Sequence, residues 1–260
     1  MFKQMAFFVP NGEKERIAIG NFFRNFDDLI ALKKQQQEQS YNIKKSMLEK
    51  LLPKNGTDVP EVRFDGFSGA WEQKTLGDIA ESLEYGLNAA ATKYDGKNKY
   101  LRITDIDEIS NEFLNTDLTT PETNLDTADS YLLRSGDILF ARTGASVGKT
   151  YRYKISDGKV FFAGFLIRAR IKDEYDCEFV FQNTLTENYK RFIYLTSQRS
   201  GQPGVNAQEY SGFEIMMPCK DEQTVIGGFF RNLDTLIESQ REELEKLQNI
   251  KKACFSKMFV

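Results

Sequence analysis

The chain has 260 residues, of which 40% are hydrophobic and 28% charged, with a net charge of −3; this is an ordinary soluble balance, with room for one large domain or one domain plus extensions. It contains no histidine, which excludes His-based triads, His general bases and His-ligated metals. No apolar run reaches the length of a membrane span, and the three cysteines, Cys177, Cys219 and Cys254, are odd in number and lack metal-ligand spacing, so a reducing cytoplasm is the expected setting.

The first residues, MFKQMAFFVPNGEKE, carry a short apolar patch without a small-residue cleavage site, and they are not read as a signal peptide. Residues 1–12 form a lead-in, and residues 13–53 are expected to be one long helix. Its seam of Phe23, Phe26, Ile30, Gln37, Met47 and Leu51, with Lys33, Ser40 and Lys44 on the same line, is spaced by three and four. The stretch PKNGTDVPE within residues 53–61 has the prolines, glycine and polar residues of a linker, placed at 54–62.

Residues 63–218 form a globular insert. Within it a short helix is expected at Trp71–Leu83, and strands at Tyr100–Asp107, Asp137–Arg142, Lys149–Ile155, Val160–Ile171 and Gly212–Pro218. A helix is expected at Glu178–Gln198. No βαβ alternation runs through this segment, so the fold expected is α+β. A second long helix then fills 219–260, with the seam Phe230, Leu233, Ile237, Gln240, Leu244, Leu247, Lys251, Cys254 and Met258.

The two helices are copies of one another. Residues 19–52 and 226–259 align without a gap at an offset of 207, with 15 of 34 positions identical, including Ile19/Ile226, Gly20/Gly227, Phe22/Phe229 and Phe23/Phe230. The lead-in FFVP also resembles IMMP ahead of the second copy. The period is too long for a solenoid, so the copies read as matching struts around a different middle. A helix of this length suits a spacer, and a two-helix hairpin supporting a domain fits the same seam.

Charge is segregated within the insert. Residues 103–133 hold eight acids and no base, and residues 134–172 hold nine bases against Asp137 and Asp157. One reading is a basic face that attracts a polyanion; the other is strands whose solvated side chains cluster by sign.

Gly144-Ala-Ser-Val-Gly-Lys-Thr150 resembles a phosphate-binding P-loop but is one residue short between its glycines, so nucleotide hydrolysis is not expected. A tight Gly-rich turn between two strands suits it better, with Arg142, Thr143, Ser146 and Lys149 available to phosphates or base edges. Ser200–Gln208 offers the same chemistry through Asn206 and its neighbours. Plain turn chemistry accounts for both loops equally. The N-P-P-Y/F signature of amino-methyltransferases is absent, as are an S-adenosylmethionine loop and paired nuclease carboxylates followed by lysine.

PEVRFDGFSGAWEQKTLGDI (60–79), EYGLNAAA (84–91), YLRITDI (100–106), SGDILFARTGASVGKT (135–150), GQPGVNAQEYSGFEIMMP (201–218) and the two IG-x-FFRN helix starts together resemble the specificity subunit of Type I restriction–modification systems. The resemblance implies a target recognition domain at 63–218 that reads one half of a split DNA site. It implies two long helices paired as an antiparallel coiled coil. Methyltransferase subunits would bring S-adenosylmethionine, a restriction subunit would join them, and this chain would hold no cofactor, metal or active site of its own. Tyr85, Asn88, Arg102, Arg142, Thr143, Ser146, Lys149 and Asn206 are the residues expected near double-stranded DNA. Members of the family ordinarily carry two recognition domains. With a single one here, the expectation is a homodimer reading a palindromic split site, or pairing with another half-subunit. A structural coiled-coil adaptor whose insert binds protein is the alternative.

Overall fold

In the computed structural model, which describes residues 10–54 and 56–258, the first copy of the repeat is one helix, α1 (Glu13–Leu51). The insert follows as β1 (Glu72–Thr75), α2 (Leu76–Ile79), β2 (Ala80–Tyr85), β3 (Ala91–Lys93), β4 (Lys99–Leu101), β5 (Thr119–Pro121), β6 (Asp137–Ala141), β7 (Thr150–Arg152), β8 (Val160–Phe162) and β9 (Leu166–Ile171). It continues with α3 (Cys177–Asn183), α4 (Glu187–Thr196), α5 (Ala207–Ser211) and β10 (Glu214–Met217). The second copy of the repeat lies in α6 (Lys220–Met258). The long helices have 39 residues each, about 58 Å at 1.5 Å per residue. The lead-in expected over 1–12 lies mostly outside the described residues.

The chain divides into two compact units, Met1–Ser46 with Arg231–Val260, and Met47–Phe230. In the first unit the helices run antiparallel. Lys33 meets Glu243 at 2.9 Å, Lys44 meets Asp234 at 2.6 Å, and Asp27 meets Lys251, so partners ascend on one helix as they descend on the other. The expected seams are the covered faces: Phe23, Phe26, Ile30, Lys33, Gln37 and Lys44 are half-buried, Ser40 is buried, and Ile237 and Leu244 are buried opposite. Met258 departs from the expected seam, being 44% exposed.

In the second unit, β2-β9-β6-β7 form an antiparallel four-stranded sheet. Strand β6 is buried on both faces. Ile138 and Phe140 join Leu76, Ile79, Phe179, Val180 and Tyr210, while Leu139 and Ala141 join Leu101, Val160 and Phe162. Such a strand reads as a continuous apolar run because neither face meets water. Small pairs β1–β10, β3–β5 and the parallel β4–β8 complete the unit.

Several expected elements are shorter or different. Trp71–Leu83 is not a helix: β1 pairs with β10 and β2 with β9, joined by a single helical turn that Thr75 and Asp78 cap reciprocally. Pairing with strands distant in sequence overrides the local helical pattern. The Val160–Ile171 strand breaks at Ala163-Gly164-Phe165, and the Glu178–Gln198 helix breaks where Thr186 caps α4. Only Lys99–Leu101 of the Tyr100–Asp107 strand pairs, before a 3₁₀ turn at Ile103–Asp105.

Candidate nucleic-acid interface

The end of β2, the start of β9 and the end of β6 come together at one end of the central sheet's strands. Gly86 donates its N–H to the Leu166 carbonyl at 3.1 Å, and Arg142 donates its N–H to the Phe165 carbonyl at 3.0 Å. The 201–207 loop closes over the same place: Val205 donates to the Arg142 carbonyl at 2.9 Å, Gly144 donates to the Pro203 carbonyl at 3.0 Å, and Thr143 bridges Gly204.

Side chains follow the backbone. The Arg142 guanidinium lies 4.8 Å from the centre of the Tyr85 ring, a cation–π stack. The Tyr85 hydroxyl accepts the Ala207 N–H at 3.2 Å. Among the described residues Arg142 has no carboxylate within ion-pair distance, so its charge is not neutralised by the protein. Tyr85 is 43% exposed and Phe165 60% exposed, giving two aromatic surfaces beside that cation.

The structure thus joins Tyr85, Arg142, Thr143 and Asn206 in one loop cluster. The Asn206 side chain there caps α5, accepting the Glu209 N–H at 2.9 Å, while Glu209 accepts the Asn206 N–H at 2.8 Å. Exposed Asn88 stands next to Gly164, on a loop pinned by the Tyr100 hydroxyl, which donates to the Leu87 carbonyl at 2.7 Å. Ser146 closes the β6–β7 turn through its carbonyl, which accepts the Lys149 N–H at 3.0 Å. Two expected residues are engaged elsewhere: Arg102 grips Asp105 with two hydrogen bonds of 2.9 and 2.7 Å, and Lys149 pairs with Glu108 at 2.9 Å.

Those pairs also decide how the charge runs are used. Lys149 and Lys154 reach Glu108 and Glu112 of the acidic run, Arg152 pairs with Glu178, Arg170 with Asp137, and buried Arg168 with Glu84. Burial pushes the Arg168 pKa down from the usual arginine value. Two ion pairs thus join the runs, three more tie basic-run arginines to Glu178, Glu84 and Asp137, and Arg142 stands at the loop cluster without such a partner among the described residues.

The Gly144–Thr150 segment is a turn between β6 and β7, as its spacing predicts. Gly148 has φ +87°, and a Cβ there would stand 2.8 Å from Ile193 Cγ2. Gly148→Ala is expected to lower stability by about 2 kcal/mol through left-handed strain plus this clash, measured by urea unfolding; a change within experimental scatter would show that the turn tolerates a side chain.

Phe165 was not among the residues expected from sequence. A continuous strand over 160–171 hides it, although Gly164 within the apolar run was a break signal. Among the described residues there is no cluster of three or more Cys, Asp or Glu placed to hold a metal ion, and no helix is long and apolar enough to cross a membrane.

The chain thus comprises a mixed α/β unit that bears a cationic, aromatic loop cluster, and a unit of two antiparallel helices. Residues 69–249 match the family model described as Type I restriction modification DNA specificity domain, and the chain belongs to that family. It is similar to the Type I restriction enzyme MjaVIII specificity subunit of Methanocaldococcus jannaschii, 23% identical over 97% of this chain and 60% of that one. It also resembles the putative MjaX specificity subunit of the same organism, 27% identical over 78% of this chain and 47% of that one. The chain therefore spans about half to three fifths of these relatives' length. Solved structures share the fold: the HsdS subunit of Thermoanaerobacter tengcongensis (TM-score 0.57, 14% identity, 94% of this chain and 56% of that one) and the Type I S subunit of M. genitalium (TM-score 0.57, 17% identity, 96% and 62%).

Proposed function

We propose that this chain is a non-catalytic DNA-recognition subunit. Its globular unit reads one half of a bipartite double-stranded site, and its helices hold that unit in a methyltransferase–endonuclease assembly. The other half-site is read by a second recognition domain. The observation that carries this reading is the loop cluster: an unpaired Arg142 stacked on Tyr85, beside exposed Phe165, Asn88 and the glycine-bearing 144–148 and 201–204 backbones. Arginine supplies a bidentate donor for guanine or a phosphate, and small residues let backbone N–H groups approach the duplex.

The purified full chain, challenged with a pool of random-sequence duplexes, is expected to enrich a short motif and to lose binding steeply as salt rises, because neutralised phosphates release counterions. Arg142→Ala is expected to weaken binding to the enriched duplex by about tenfold to a hundredfold without lowering thermal stability. Retention of no motif, or an Arg142→Ala chain binding as tightly as the wild type, would favour the protein-binding adaptor.

A further inference from the structure

The connection between β8 and β9 is a tight turn. Leu166 donates its N–H to the Ala163 carbonyl at 2.8 Å, which puts Gly164 and Phe165 at the two central positions. Three neighbouring segments hold the turn. Gly164 donates to the Leu87 carbonyl at 2.8 Å, Ala163 donates to the Leu101 carbonyl at 2.9 Å, and the Phe165 carbonyl accepts the Arg142 N–H at 3.0 Å. Gly86 packs so closely that a Cβ there would collide with the Ala163 oxygen. The backbone under Phe165 is thus fixed from several sides.

Its side chain is nonetheless left in water, at 60% exposure. Exposure by itself assigns nothing, since Ile109 and Ile155 are more exposed, at 76% and 78%. Position separates Phe165 from them. The β6–β9 ladder pairs Ala141 with Leu166, and one step further it sets Arg142 beside Phe165. The β2–β9 ladder pairs Tyr85 with Ile167, two positions along from Phe165. Opposed and alternate residues share a face, so Tyr85, Arg142 and Phe165 belong to one face at the end of the strands. Strand β9 lies between β2 and β6, and the Arg142 guanidinium reaches across it to within 4.8 Å of the Tyr85 ring centre.

We infer that Phe165 is a stacking wedge: its ring enters the base stack at one step of the recognised half-site and opens that step, with Arg142 against a flanking phosphate. Unstacking a step costs free energy, and an apolar ring placed between the bases returns it by stacking on their faces. A wedge on a yielding loop is deflected instead of opening the stack, and the turn that bears Phe165 is bonded to three other segments. Opening is easiest at pyrimidine–purine steps, so the ring adds sequence preference at a position where no side chain hydrogen-bonds a base. This inference rests on the reading of the globular unit as a DNA-recognition domain.

The test uses the full chain alone and the duplex enriched from the random pool, with 2-aminopurine replacing each adenine of the motif and its flanks in turn, on both strands. No methyltransferase is in the mixture, so any opening is this chain's own. Binding is expected to raise the fluorescence severalfold at one step, and end-labelled duplexes are expected to show a kink of about 20° or more by energy transfer. Phe165→Ala is expected to abolish both signals, to weaken binding by about fivefold to a hundredfold, and to relax the selected motif at that step alone, with an unchanged Tm. Phe165→Leu keeps an apolar wedge and is expected to retain most of the fluorescence. A bound motif in which no adenine brightens and no kink forms overturns the wedge and leaves the DNA reading intact. So does a Phe165→Ala complex with unchanged fluorescence, kink and motif, or a Phe165→Ala chain that loses binding because its Tm has dropped. A chain that enriches no motif overturns both.

Discussion

Asp137→Ala is expected to lower the stability of the globular unit by about 3–5 kcal/mol, the cost of leaving buried charge without its partner. Asp137 is fully buried at the start of β6. Its carboxylate accepts hydrogen bonds from Arg170 Nε at 2.8 Å and Nη2 at 2.9 Å and from the Arg134 N–H at 2.9 Å, and Arg168 Nε lies 3.9 Å away. Arg168 is 2% exposed, bonded to the Ser130 carbonyl at 2.9 Å and resting over the Phe162 ring. Removing the aspartate leaves two guanidinium groups inside the sheet with only Glu84 and carbonyls as compensation. Urea unfolding followed by circular dichroism reads the effect as a large drop in midpoint. Asp137→Asn keeps the shape and one acceptor and is expected to fall between the two. Lys190→Ala, removing an exposed pair with Glu187, is the contrast, at under about 0.5 kcal/mol. An Asp137→Ala loss below about 1 kcal/mol would mean that water or rearrangement supports the arginines.

Gly86→Ala is expected to cost more than about 3 kcal/mol or to yield no soluble fold, beyond the usual range for overpacking. A Cβ at residue 86 would stand 2.2 Å from the Ala163 oxygen, 2.5 Å from the Ala163 carbonyl carbon and 2.6 Å from the Phe162 oxygen. All three are backbone atoms, so no rotamer change relieves the contact. The local backbone is also held in place: Leu87 donates to the Phe162 carbonyl at 2.8 Å, and Gly164 donates to the Leu87 carbonyl at 2.8 Å. Gly201, with no atom within 4 Å of its Cβ position, is the control and is expected to accept alanine without loss. Equal melting temperatures for Gly86→Ala and Gly201→Ala would disprove the close approach. The clamp bears on the candidate site because Gly86 lies between Tyr85 and Asn88, where β2 delivers its last side chain, Tyr85, to the loop cluster.

The seams of the long helices were legible because a helix seam is a local property. Residues three and four apart share a face whatever the rest of the chain does, and the positions from Phe23 to Leu51 are the ones the structure covers. The Met258 exception is not local: its counterpart Leu51 is buried because a domain lies against it. Strands with strong apolar runs, such as Asp137–Ala141, were legible for a similar reason. Trp71–Leu83 was not, since its pattern fits a helix and only β10 and β9, well over 80 residues further on, hold it extended.

The candidate site divides in the same way. Arg142, Thr143 and the 201–207 loop could be selected by residue type, because cations, amides and glycines suit a nucleic-acid surface. Which cation lacks a carboxylate partner depends on where carboxylates fall in space: Arg102 pairs with Asp105 and Lys149 with Glu108, and Arg142 has no such partner among the described residues. The sequence by itself determined the helix repeat, its spacing, the mixed α/β insert and the family. Only the tertiary structure decided which charges pair and which aromatic residues reach the surface. Those outcomes depend on distances between segments far apart in the chain, and periodicity within a segment holds no information about them.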